Sequence, residues 1–294
     1  MREPSKDCGQ ALLLVMWAMF IMCFSILGLI RLLNVTIGTS SALERVAIAS
    51  SLAYAGTTMG RNAEFPANGK PQNRKFPDGG EMEIVVVSEN GKLNINKLLA
   101  NQDRETPRAL FRLWGLNDVE ADTVLDCLLD YVEPGSTRRL NGAKVEQYRM
   151  AGRPAPSGKL FRSVDEMANV LNFDVVVRNK ENWRDYFTIY GDGTLDLTSA
   201  PLDLIKVVCK VGDSSARALI QGQSGEGAGI QDLEAARLAM GMTEKEFQAL
   251  GGVVSMGGKI RRVRAKGTLM QASRTIEVIC RTDSPPAILA WREW

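Results

Sequence analysis

The pattern of apolar and polar positions sets off the start of the chain from everything after it. Residues 8–30, CGQALLLVMWAMFIMCFSILGLI, contain no charge, whereas later stretches mix the two classes. A helix rises about 1.5 Å per residue, so this run reaches across a hydrocarbon core of about 30 Å. It exceeds the roughly 7–15 apolar residues of a cleaved secretory signal, and Arg31-Leu32-Leu33-Asn34 supplies no small-x-small cleavage site. A helix retained in the membrane is expected. Beyond it Leu33, Ile37, Ser41, Val46, Ser50, Ala53 and Thr57 continue at helical spacing without proline, which extends the helix to about Met59. Its many small residues allow close approach of other helices, and its lower half is expected to pack on the chain's own sheet. Residues 62–80, rich in Pro, Gly and Asn, read as a linker.

Further on, the period switches repeatedly between two and 3.6. Residues 81–88 (EMEIVVVS) have the β-branched density of a strand, and Asn90-Gly91 predicts a hairpin into residues 93–96. A second hairpin is predicted over residues 187–197 about Gly191-Asp192-Gly193, and a third, longer one over residues 259–282. The phrases Gly91-Lys92-Leu93-Asn94-Ile95-Asn96 and Gly193-Thr194-Leu195-Asp196-Leu197-Thr198 are alike. Each precedes a helix, a glycine (Gly115 or Gly212) and a second helix, so the chain repeats a strand followed by a helix-hairpin-helix-like unit.

Composition narrows the chemistry. The chain has 36 Lys plus Arg against 34 Asp plus Glu, too even for a protein held to phosphates by counterion release. It has no His, which excludes Ser-His-Asp, Cys-His and His-zinc chemistry. The five cysteines, at 8, 23, 127, 209 and 280, never show Cys-x-x-Cys spacing and read as isolated small core residues. In an oxidising compartment, Cys209 with Cys280 is the pairing expected.

The apolar run is preceded by a short polar leader holding Arg2, Glu3, Lys6 and Asp7, and Gly9-Gln10 stands at the boundary. A cleavage there, before the apolar segment, trims the leader and leaves the helix in place. This arrangement resembles a type IV prepilin leader, which in that family is cut after Gly by a membrane aspartic peptidase that then methylates the new terminus. Cutting between Gly9 and Gln10 makes Leu14 the fifth mature residue, where most pilins carry Glu.

A more specific resemblance runs through the body of the chain. Leu125-Asp126-Cys127-Leu128-Leu129-Asp130-Tyr131-Val132-Glu133 is followed in order by Asn141-Gly142-Ala143-Lys144, Tyr148, Pro154-Ala155-Pro156 and a segment from Leu160 to Met167. Then comes Tyr190-Gly191-Asp192-Gly193-Thr194-Leu195-Asp196-Leu197-Thr198-Ser199-Ala200-Pro201. This order resembles general secretion pathway protein K, a minor pseudopilin of type II secretion systems and the pseudopilin that usually lacks the Glu at position five. The resemblance implies an α+β fold: a pilin-like amino-terminal helix on a mixed or antiparallel sheet, with a large helical, helix-hairpin-helix or SAM-like, insertion. The expected division is a leader (1–9), the membrane and pilin helix (10–60), a first α/β section (61–96), the helical insertion (97–186) and a second α/β section (187–294) with helices at about 201–250.

The resemblance also implies a non-enzymatic subunit at the pseudopilus tip that primes assembly and supports export. Its implied partners are other minor pseudopilins, the prepilin peptidase, the inner membrane and secreted cargo, with the head in the periplasm. Members of the family can hold calcium through carboxylate and carbonyl oxygens. Here Lys144 stands where the family has Glu, and Glu133 replaces an Asp, so neither a metal nor any other cofactor is assigned.

Other readings weigh less. Helix-hairpin-helix turns can offer backbone amides to DNA phosphate, as a DNA-uptake component would require, but Asp118 and Asp213 beside the two turns would repel it. Protein rather than nucleic acid is the partner expected. The basic cluster at residues 259–264 alternates with apolar residues and reads as the solvated face of an edge strand. QGQSGEGAG lacks the Lys-Ser/Thr of a nucleotide loop and reads as a surface loop. Asp126 and Asp130, at i and i+4, read as a solvated helical face rather than the acid/base pair of a membrane-tethered hydrolase. Trp291 and Trp294 suit either the sheet or a contact.

Overall fold

The computed structural model describes residues 7–224, 230, 232–283 and 286–294. The start of the expected leader, residues 1–6, and residues 225–229 of the glycine-rich segment lie outside the described residues. Helix α1 (Asp7–Gly60) leads into strands β1 (Gln72–Lys75) and β2 (Gly80–Ser88). A single turn at Glu89–Gly91 precedes β3 (Leu93–Asn94) and helices α2 (Ile95–Ala100), α3 (Glu105–Leu113), α4 (Asp118–Val132), α5 (Val145–Met150) and α6 (Asp174–Asn179). After β4 (Phe187–Thr188) and β5 (Leu195–Asp196) come α7 (Leu202–Val208), α8 (Asp213–Ser224), α9 (Leu233–Ala239) and α10 (Glu244–Gln248). The chain ends with β6 (Val254–Ser255), β7 (Ile260–Leu269), β8 (Ala272–Arg281) and β9 (Ala287–Glu293).

The fold is α+β, as expected. A five-stranded antiparallel sheet in the order β1-β2-β7-β8-β9 packs against the lower half of α1. Strand β2 alternates strictly: Met82, Ile84 and Val86 point at the helix, meeting Ala53, Val263, Ile276, Val278 and Cys280 in one apolar cluster. The helix lies so close to the central strand β7 that a Cβ on Gly267 would meet the Ala49 carbonyl oxygen at 2.1 Å and the Ala53 nitrogen at 2.7 Å. The small residues of lower α1 therefore serve the chain's own sheet. The upper half, Leu12–Leu32, is strongly apolar and wholly unburied, long enough to cross a membrane.

Between Ser88 and Arg261, which are register partners in β2 and β7, the chain leaves the sheet and builds a helical body around a second core. That core runs in sequence from Leu93 to Val254 and is filled by Trp183, Tyr148, Phe111, Phe173 and Phe187. Helices on both sides of residue 186 contribute to it, and α3 packs on α7. The two hairpin units are joined through Asp203, whose Oδ2 accepts from Trp114 Nε1 at 3.1 Å and from Lys180 Nζ at 3.1 Å.

Three expectations about strands require correction. The first two predicted hairpins do not form: β3 pairs in parallel with β4, and β5 in parallel with β6. Residues 89–91 form a helical turn instead, and Asn94 immediately caps α2 by accepting from Lys97 N, so the helix start takes over from the strand. The segment read as a linker contains β1, and β9, unpredicted, places Trp291 6.0 Å from the Tyr54 ring of α1. The basic strand β7 is central rather than at an edge. Its Arg262 is drawn into buried ion pairs, and Arg261 donates to the Asn62, Ala63 and Phe65 carbonyls in the turn that follows α1. The third hairpin, β7–β8, forms as predicted, with Leu269 opposite Ala272. Cys209 and Cys280 are free and belong to different apolar clusters, so the expected pair is not made; burial pushes the Cys209 thiol up to about 11.

Candidate functional site

A capping box starts α4: Asn117 Oδ1 accepts from Glu120 N, and Glu120 Oε2 accepts from Asn117 N, both at 2.9 Å. The helix carries Asp126 and Asp130 on one face. That face is buried, with Asp126 5% and Asp130 0% exposed, so the solvated reading is wrong. Each carboxylate instead fastens the segment that follows the helix. Asp126 accepts from Arg104 Nη1 at 2.7 Å and from Asn141 N at 3.2 Å. Asp130 accepts from Arg139 Nη1 at 2.8 Å and Arg139 N at 3.1 Å.

Arg139 also grips Glu133 with two bonds of 2.7 Å, a bidentate pair that holds the Glu133 carboxyl below its ordinary range. Lys144, only 5% exposed, donates from Nζ to the Asp130 carbonyl at 2.8 Å and the Glu133 carbonyl at 2.7 Å. These carbonyls belong to the end of α4, where helical acceptors lack partners and a positive charge is favoured. Gly142 passes directly over Asp130: a Cβ there would lie 1.9 Å from Oδ2. Ala143 is buried beside it, and Tyr148, fully buried, accepts through its hydroxyl from Leu171 N at 3.0 Å. Tyr131 stacks on Phe161 at 5.4 Å and lies 6.0 Å from Tyr148. The residues singled out at 130, 131, 133, 142, 143 and 148 thus form one structure, a segment folded back onto the end of α4.

Gly191, Asp192, Gly193 and Pro201 form a second one. Gly191 and Gly193 have φ of +96° and +100°, the left-handed region that glycine tolerates. Asp192 Oδ1 accepts from Thr194 N and Oγ1 and from Asn90 Nδ2, and Asn94 Nδ2 donates to the Tyr190 and Gly191 carbonyls. The second repeat's phrase is therefore clasped by the first. Pro201 stands at the start of α7.

Sequence reasoning missed the charged seam between sheet and helical body. Glu89, immediately after β2, receives Arg262 Nε and Nη2 at 2.8 Å each and Thr188 Oγ1 at 2.7 Å. Arg262 also reaches Glu277 at 2.9 Å, and Arg264 reaches its other oxygen at 3.0 Å. Burial is the largest single influence on the Glu89 pKa and raises it, but Arg262, Lys92 and Thr188 together outweigh it and the net shift is downward. A cavity of about 160 Å³ opens beside this seam, lined among others by Glu89, Lys92, Asp185 and Arg262. The only sequence signal was the alternation of arginines along β7. On α1, Gly9 and Gln10 lie in the helix, and Leu14 is exposed.

The helical segment carrying Lys144 is also where the chain matches a family. Residues 91–180 match the model described as type II secretion system (T2SS), protein K. No curated protein sequence matches. Among solved structures, the fold resembles a chain of the GspK-GspI-GspJ complex from the type 2 secretion system of enterotoxigenic Escherichia coli. The TM-score is 0.65 at 16% identity, over 89% of this chain and 98% of that one. The chain thus contains a region similar to type II secretion system protein K, set in a fold like that of a chain of the GspK-GspI-GspJ complex.

Proposed function

We propose that the chain occupies the tip of a periplasmic pseudopilus, where it primes assembly with other minor pseudopilins and supports export of secreted proteins. One observation carries this reading: a single helix is half bare and apolar, half packed on a sheet, and that sheet bears a wide helical body. Prepilin peptidase cuts between Gly9 and Gln10, and the helix stays in the inner membrane as a single pass with the head outside. Leu14, the fifth mature residue, offers no carboxylate to the terminal amine of a neighbouring subunit, in keeping with a terminal place in the filament. The breadth of the helical body supports the same place, because it would obstruct a subunit stacked above. The GspK-GspI-GspJ complex of the structural relative supports other minor pseudopilins as partners. The test is the mass of the amino-terminal peptide of the chain isolated from membranes of cells containing a prepilin peptidase. A methylated start at Gln10 is expected; an intact leader or a start after the apolar run refutes the processing and the pilin-like role with it.

A further inference from the structure

We infer that Lys144 is the chain's own resident cation at the end of α4, taking the place of a bound divalent ion, so that residues 133–144 are held closed without metal. The donors do not suit calcium. A calcium ion needs six to eight oxygens at about 2.3–2.6 Å. Here the two backbone oxygens turned inward, Asp130 O and Glu133 O, are both taken by Lys144 Nζ at 2.8 and 2.7 Å. An ion reaching both oxygens would collide with the ammonium. The side-chain oxygens are committed as well: Asp130 to Arg139 Nη1 and N, Glu133 to Arg139 Nη1 and Nη2. Among the described residues no group of three or more acidic or cysteine side chains is gathered as a ligand set.

The charges balance without an ion. Two carboxylates, Asp130 and Glu133, face two cations, Lys144 and Arg139, so the chain supplies the two positive charges a divalent ion would bring. Lys144 is almost wholly buried, a position an ammonium keeps only when paired and hydrogen-bonded. A tethered cation also loses no translational freedom on binding and has no dependence on free ion concentration. The inference concerns this segment alone and stands or falls independently of the place of the chain in a filament.

Hydrogen–deuterium exchange on the full chain in detergent micelles tests it, with calcium chloride or EGTA present. For the wild type, exchange in peptides covering 133–144 should agree within about twofold between the two conditions. Lys144→Met should exchange at least tenfold faster there in both conditions, while peptides of β7, which belongs to the separate apolar cluster under α1, keep wild-type protection and report that the chain is folded. Lys144→Glu, which restores the family's side chain, should exchange fast in EGTA and regain protection in calcium. A tenfold loss of wild-type protection in EGTA, which needs no variant, overturns the inference, and so does wild-type protection in Lys144→Met.

Discussion

Replacing Arg262 with Met tests how the helical body is fastened to the sheet. The side chain of Glu89 is 1% exposed and that of Glu277 6%, and Arg262 bridges them. Arg264 still reaches Glu277 after the change, so the penalty falls mainly on Glu89, left with the Thr188 hydroxyl and the charge of Lys92. Breaking a buried pair in this way costs about 3–5 kcal/mol, chiefly through the uncompensated charge. At about 2–4 °C per kcal/mol for a domain of this size, the melting temperature should fall by about 6–20 °C at pH 7. The pH dependence supplies the sharper sign. In the wild type the Glu89 pKa lies below its ordinary 4.5, so its contribution is complete above that value and is lost as pH falls through the lowered one. Without Arg262, burial is the dominant influence and raises the pKa. The strain is then relieved as the carboxyl protonates, and the variant should gain stability from pH 7 to pH 5 while the wild type changes little. Adding Glu89→Gln to Arg262→Met should recover most of the deficit at pH 7. Near-UV circular dichroism melts of the full chain in micelles measure all three proteins. A variant melting within about 2 °C of the wild type, or losing stability on acidification, refutes the reasoning.

Two further predictions concern packing and thiols. Gly267→Val drives a side chain into the backbone of α1 at Ala49 and Ala53 and should destabilise by about 3 kcal/mol, whereas Gly212→Ala, with open space around it, should shift the melting temperature by less than about 2 °C; equal effects would discredit the close helix–strand approach. Alkylation of the denatured, unreduced chain followed by peptide mass measurement should find Cys127, Cys209 and Cys280 all as free thiols, and a linked Cys209–Cys280 peptide would contradict their placement in separate clusters.

What could be read from the sequence was what local periodicity encodes. The apolar run, strand β2, the β7–β8 hairpin and the helix pairs about Gly115 and Gly212 each carry their signal within a few neighbouring residues. The parallel pairs β3–β4 and β5–β6 are two residues long and join segments far apart in sequence, so no local period announces them. Strand β9 shows little alternation because most of its positions are exposed. At the end of α4, the order of Asp130, Tyr131, Gly142 and Tyr148 was visible as a phrase, but nothing in the spacing marks Arg139 or Arg104 as their partners. Burial decided that, by turning a polar i, i+4 pair inward and leaving its charges to be matched from elsewhere.

The register of Ser88 against Arg261 has an architectural consequence. To the sheet, the whole helical body is one oversized connection between two neighbouring strands, entering and leaving at the same rung. Its bulk is thus free to grow, shrink or be exchanged over evolution without re-registering a single strand. Beside that shared rung, Glu89 and Arg262 form the latch between the helical body and the sheet.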